Sequence, residues 1–78
     1  MIIGITGTTA GIGRAILQLP YNFVEFNRTD GDINDVSAVY DKLKDCDVFI
    51  NNAWHLDCQT KLLKYFFDKW KNKTKKII

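Results

Sequence analysis

The 78-residue sequence predicts a single α/β domain, residues 1–78, built on a parallel sheet, and three observations lead to that expectation. Met1 to Ala15 begins with the β-branched residues Ile2, Ile3 and Ile5, breaks at Gly7, Gly11 and Gly13, and resumes with helical spacing. A later apolar run, Asp47 to Ile50, ends in Asn51-Asn52-Ala53, and stripes of helical period separate the apolar runs. Nearly continuous apolar strands suit a sheet covered on both faces, and strands alternating with helices imply crossover-connected parallel pairing.

The elements follow in order. The first strand holds Ile2, Ile3 and Ile5, and the first helix buries Ile12, Ala15, Ile16 and Leu19 at i, i+3, i+4 and i+7. Pro20 ends that helix, because the residue before a proline is pushed out of the α region. Tyr21-Asn22 turn into a second strand, Phe23 to Asn27, with Phe23, Val24 and Phe26 inward. An acidic turn over residues 29–35 leads to the second helix, with Asn34 as N-cap and Val36, Val39, Tyr40 and Leu43 as its apolar stripe. The third strand is Val48 to Asn51, beside the first and away from the second. The third helix is Asp57 to Thr74, with Leu62, Leu63, Phe66, Phe67 and Trp70 on one side, a stripe read as core. Lys75 to Ile78 reads as the start of a fourth parallel strand. Right-handed crossovers then bring the glycine turn and the Asn51-Asn52-Ala53 end to one carboxyl edge, where ligands bind in such sheets.

Composition narrows the function classes. With 46% hydrophobic and 26% charged residues the chain has the make-up of a soluble globular protein, and no stretch approaches the roughly 18 apolar residues of a membrane span. Met1 leads straight into the first strand, leaving no room for a signal peptide, so a cytoplasmic location is expected. So short a chain buries a modest share of its surface, which suggests a fragment or an associating chain. Cys46 and Cys58 lack ligand spacing and read as reduced thiols. His55 is the only histidine, so no Ser-His-Asp or multi-histidine metal arrangement can form; it reads as a loop residue, with a substrate contact as the alternative. From residue 59 onward seven lysines face Asp68, net +6, while the preceding part is net −4. Lysines snorkelling along an amphipathic helix explain this more simply than a nucleic-acid or membrane surface.

The glycine turn has its own chemistry. Glycine allows close backbone approach, so amides can face an anion while the following helix start adds partial positive charge, an arrangement that fits a pyrophosphate. No Lys-Ser/Thr follows the last glycine, which argues against a nucleoside triphosphate loop. Three glycines in a turn also serve plain packing. Twenty residues beyond Gly7, where dinucleotide-binding folds place an acid on the adenosine ribose, stands Asn27. Without a carboxylate there, a 2′-phosphate is not repelled, and Arg28 offers it bidentate donors, a solvated loop charge being the alternative reading of Arg28. NADP is therefore favoured over NAD.

Thr6-Gly7-Thr8-Thr9-Ala10-Gly11-Ile12-Gly13 resembles the TGxxxGIG signature of the short-chain dehydrogenase/reductase family, and Asn51-Asn52-Ala53 resembles its Asn-Asn-Ala-Gly signature. Trp54 stands where the family usually has glycine, and Ala10 where NADP-preferring relatives often carry a base. The resemblance implies a Rossmann-like three-layer α/β/α domain with three parallel strands plus the start of a fourth. It is abridged by a helix and a strand after the second strand. It also implies cofactor contacts at Gly7, Thr8, Thr9, Gly11, Ile12, Gly13, Asn27, Arg28, Asn52 and Ala53, with Asp32-Ile33 beside the adenine. Capping acids are an equal explanation of that last pair.

The family's catalytic serine and Tyr-x-x-x-Lys pair follow the fourth strand and have no counterpart here. Tyr40/Lys44 and Tyr65/Lys69 have the spacing but belong to helices whose aromatic member faces the core. The expectation is the NADP-binding part of an oxidoreductase moving hydride between a dinucleotide and a carbonyl or alcohol, inactive by itself. The alternative is a non-catalytic dinucleotide sensor or interaction module, with a partner or second copy at the unfinished sheet edge.

Overall fold

Strand β1 (Ile2–Thr6) is flanked on both sides, by β2 (Asn22–Phe26) and by β3 (Val48–Ile50), and β4 (Lys76–Ile77) lies beyond β3. All pairings are parallel, so the sheet order is β2-β1-β3-β4. The computed structural model describes residues 1–78 and adds three helices, α1 (Gly11–Ile16), α2 (Val36–Leu43) and α3 (Cys58–Trp70). Burial on both faces explains why β1 is apolar almost throughout, with Gly4 against Leu43 and Cys46 on one side and Ile3 and Ile5 buried on the other.

The main core lies between the sheet and the pair α2 and α3. Phe26 and Phe49 from the strands meet Val39, Leu43, Leu62, Phe66 and Trp70 from the two helices. The Phe49 and Phe66 rings stack at 3.9 Å between centroids. Gly4 lets α2 approach β1 closely, since a Cβ there would stand 3.1 Å from Cys46 Sγ and 3.2 Å from Leu43 Cβ. By strand alternation Ile3, Ile5 and Val48 point to the opposite face, where they too are buried. Each such side chain contributes about 1.5–3 kcal/mol by leaving water.

Several expectations need correction. The sheet has four strands rather than three and a beginning, because the amides of Lys76 and Ile78 donate to Asp47 and Phe49 and complete β4. The second strand is shifted by one residue, to Asn22–Phe26; Val24 and Phe26 face the main core, while Phe23 alternates to the other side. The third strand stops at Ile50. Asp35 rather than Asn34 caps α2, its carboxylate accepting from the Ala38 amide at 3.3 Å.

The largest difference is α1. It ends at Ile16, followed by the tight turn bonds Gln18 N to Ala15 O and Leu19 N to Ile16 O, and the expected stripe is not buried. Ile12 is 75% exposed and Leu19 51%. The rotation of α1 is set by Gly13, its one buried residue, so the inward row is Gly13, Ile16 and Leu17, again at i, i+3 and i+4. In α3 the core row is Leu62, Phe66 and Trp70, while Leu63 and Phe67 are exposed, and the helix closes at Trp70 before the chain turns into β4.

Candidate functional site

The carboxyl ends of β1, β2 and β3 form one joint. Asn52 donates through Nδ2 to the carbonyl oxygens of Thr6, at 3.1 Å, and Gly7, at 2.8 Å. The buried Thr6 hydroxyl accepts from the amides of Asn52, at 3.2 Å, and Ala53, at 3.0 Å. The Gly7 amide donates to Phe26 O at 3.2 Å. Two glycines make this closeness feasible. Gly7 has φ +73° and a Cβ on it would stand 2.9 Å from Ala53 Cα. A Cβ on Gly13 would lie 2.0 Å from the Gly7 carbonyl oxygen, so no side chain fits there.

Above this joint opens a cavity of about 630 Å³. Of the twelve residues expected at a site, eight border it: Gly7, Thr9, Asn27, Arg28, Asp32, Ile33, Asn52 and Ala53. The other four do not. Thr8 is buried beneath the turn, Gly13 is packed on Gly7, Gly11 faces open space, and Ile12 projects to solvent. Five further residues line the cavity, Ala10, Phe26, Gly31, Trp54 and His55, and of these the sequence reading offered only His55, through its alternative as a substrate contact. Trp54 lies between Ala53 and His55, a proximity that could have flagged it as well. Phe26 carried no such signal, since it is also a core side chain.

Asn27 has a structural task in addition to its place in the wall. Its Oδ1 accepts from the Thr8 amide at 2.8 Å, its Nδ2 donates to Thr8 Oγ1 at 2.8 Å, and the Thr8 hydroxyl donates to the Glu25 carboxylate. The side chain thereby ties the glycine turn to β2. The Asn27 amide donates to Asp30 at 2.7 Å, and Lys42 Nζ donates to the same carboxylate at 2.7 Å. The hydrogen bond from Lys42 holds the Asp30 carboxyl below the usual carboxylate range, with the Asn27 amide acting in the same direction.

The donors left over are the amides of Thr9, Ala10, Gly11 and Ile12, which have no hydrogen-bond partner within the chain, and the exposed guanidinium of Arg28, which forms no ion pair. Ala10 supplies no side-chain cap to α1. With six residues α1 adds little macrodipole, so an anion here would be held by turn amides. Of these, the Thr9 and Ala10 amides and Arg28 border the cavity, and they and its volume suit a diphosphate-bearing ligand, since pockets for such molecules commonly span about 300–1,000 Å³.

The tyrosines stand elsewhere. Tyr40 and Tyr65 pack edge to face on each other, at 5.5 Å between centroids, and neither borders the cavity. Lys69 Nζ lies 5.5 Å from the Tyr65 ring centroid. Cys46 and Cys58 are buried and unlinked. No three His, Cys, Asp or Glu gather as a metal site, and no helix is long and apolar enough to cross a membrane. No protein-family model, curated protein or solved structure matches the chain.

Proposed function

We propose that the cavity binds an NADP-type dinucleotide, and that the chain is the NAD(P)-binding part of a short-chain dehydrogenase/reductase-like oxidoreductase acting in the cytoplasm. The observation that carries this reading is convergence. The glycine turn, Asn27-Arg28, Asp32-Ile33 and Asn52-Ala53 are separated in sequence yet border one cavity at the carboxyl edge. The strand order supports a Rossmann-like three-layer arrangement. The step from β1 to β2 runs opposite to the steps toward β3 and β4, so right-handed crossovers carry α1 to the face opposite α2 and α3.

In this reading the amides of Thr9 and Ala10 hold the diphosphate, Arg28 receives the 2′-phosphate, and Asp32-Ile33 border the adenosine. Asn52 keeps the floor of the site rigid. When bound, the nicotinamide supplies hydride chemistry toward a carbonyl or alcohol. Thermal unfolding tests the reading, because a ligand at a hundred times its Kd stabilises by about 2.7 kcal/mol. NADPH is expected to raise the Tm more than NADH. Equal shifts would remove the role of Arg28, and no shift with either would remove the reading.

One observation favours a second reading, a dinucleotide sensor without turnover. Arg28, Asp32 and His55 are the titratable side chains of the cavity wall, and no tyrosine, serine or lysine is among its residues to move a proton to a substrate oxygen. A partner strand or a second copy would then engage the outer edge of β4, which pairs only with β3. Binding without oxidation by this chain is expected in both readings, so the deciding observation is the source reading frame. Continuation past Ile78 into a strand, a serine and a Tyr-x-x-x-Lys helix would decide for the enzyme, and a stop codon there for the sensor.

A further inference from the structure

Resting on the dinucleotide reading, we propose that Trp54 is a stacking wall for the nicotinamide ring and favours its oxidised pyridinium form, so that the site senses the redox state of the nucleotide pool. Trp54 borders the cavity and is 83% exposed. It stacks on no ring of the chain and lies under no cation, whereas the other tryptophan, Trp70, is buried against Phe66 and Lys75. An indole left uncovered at a cavity mouth is a large apolar surface awaiting a flat partner.

Its backbone is not free to fold the ring away. Ala53, the preceding residue, donates its amide to Thr6 Oγ1 and lies hard against Gly7. The Ala53 carbonyl accepts from Cys58 Sγ at 3.4 Å, and the Cys58 amide donates to His55 O at 3.1 Å. The short loop from Trp54 to Asp57 is thus tied at both ends, to β1 and to the start of α3.

Strand order decides which ring reaches Trp54. β1 lies between β2 and β3, so a diphosphate on the turn after β1 extends one nucleoside over β2 and the other over β3. The β2 side ends in Arg28, the donor suited to a 2′-phosphate, and the β3 side ends in Trp54. The nicotinamide therefore falls to Trp54. Its oxidised form is a planar cation and its reduced form a neutral, puckered ring, and an indole face attracts a flat cation more strongly.

The test uses the whole chain, titrated calorimetrically with NADP⁺ and with NADPH, in wild type, Trp54→Phe and Trp54→Ala. Wild type is expected to bind NADP⁺ about fivefold more tightly than NADPH. Trp54→Ala is expected to weaken NADP⁺ about tenfold and to bring the two affinities within about twofold, while Trp54→Phe keeps part of the preference. An indole-to-pyridinium charge-transfer absorption should appear with NADP⁺ in wild type and vanish in Trp54→Ala. The Tm without ligand should be unchanged, since the ring touches no core. Wild-type binding with no preference, or with a preference that Trp54→Ala leaves intact, overturns the role of Trp54 and spares dinucleotide binding. Failure of wild type to bind either nucleotide overturns both.

Discussion

Asn52 donates from its side-chain amide to the carbonyl oxygen of Gly7 at 2.8 Å, joining positions 45 residues apart. The same nitrogen reaches Thr6 O, so one amide group holds the turn after β1 against the end of β3. Both acceptors are carbonyls, and this dictates which substitutions fail. Asn52→Ala leaves two partly buried acceptors without their donor and is expected to cost about 1–3 kcal/mol. For a domain of this size that is a fall in Tm of about 4–8 °C per kcal/mol. Asn52→Asp should be worse at neutral pH, because a carboxylate would face two carbonyl oxygens with no proton to offer. Thermal denaturation at pH 7 checks the order, and an aspartate variant as stable as wild type would exclude the strut.

Arg28 is exposed, lines the cavity and has no acidic partner within the chain. Its removal should therefore leave the fold alone and change ligand choice. Arg28→Ala is expected to keep the wild-type Tm within about 0.5 kcal/mol of stability. The extra stabilisation by NADPH should fall to the level given by NADH, with the NADH shift unaltered. Ligand-induced Tm shifts read this directly; a retained NADPH advantage would assign the 2′-phosphate to another group.

Asp30 links the cavity wall to acid stability. Lys42 and the Asn27 amide both donate to its carboxylate, and its pKa is lowered chiefly by the Lys42 hydrogen bond. A carboxyl whose folded pKa is depressed contributes stability above its unfolded pKa, about 3.9, and loses it as pH falls through the folded value. Because the pair is largely solvated, the contribution is at most about 1 kcal/mol. Wild type should exceed Asp30→Asn in Tm at pH 7, and the gap should close below about pH 4. A gap that persists in acid would mean that the asparagine fails for a steric reason.

What the sequence made legible follows from which forces act locally. Strand identity, the order of elements and the turn at Gly7 are written in β-branched runs and glycines, and Asn52-Ala53 meets the glycine turn because both end adjacent parallel strands. Helix rotation was not legible for α1. The apolar pattern pointed to Ile12 and Leu19, but contact between Gly13 and the Gly7 carbonyl decides which way the helix faces, and glycine carries no hydrophobic signal. Asn27 was legible as a position and not as a role, since its bonds to Thr8 depend on how two strand ends come together. Trp54 was legible as the neighbour of Asn52-Ala53, while its exposure at the cavity needed the fold.

The rotation of α1 makes a separate prediction. Leu17 and Ile16 are half-buried in the row begun by Gly13, whereas Ile12 is 75% exposed. Leu17→Ala should cost about 1–2 kcal/mol and Ile12→Ala less than about 0.5 kcal/mol. Gly13→Ala should cost more than either, because its Cβ would lie 2.0 Å from a backbone oxygen that Asn52 also holds. Urea denaturation of the three variants ranks them; a large loss for Ile12→Ala would restore the stripe expected from periodicity.

Cys46 lies where α2 meets β1, with its Sγ 3.1 Å from the place a Gly4 Cβ would occupy and only 1% of its surface exposed. Burial pushes its thiol pKa up, opposed by the Lys75 ammonium and reinforced by Asp47 and Asp45. Native protein at pH 8 should therefore resist iodoacetamide, and chain unfolded in urea should react at both cysteines. The direction of the pKa shift also sets the alkaline behaviour. The folded pKa lies above the unfolded one, so the contribution of the neutral thiol is complete below the ordinary thiol value, about 8.5, and is lost as pH rises past it. Between about pH 8 and 10 the Tm of wild type should fall more steeply than that of Cys46→Ala, which has no thiol to ionise in the unfolded chain. Every other side chain is common to both proteins and cancels in the comparison, so parallel slopes would show that the Cys46 thiol ionises as readily folded as unfolded.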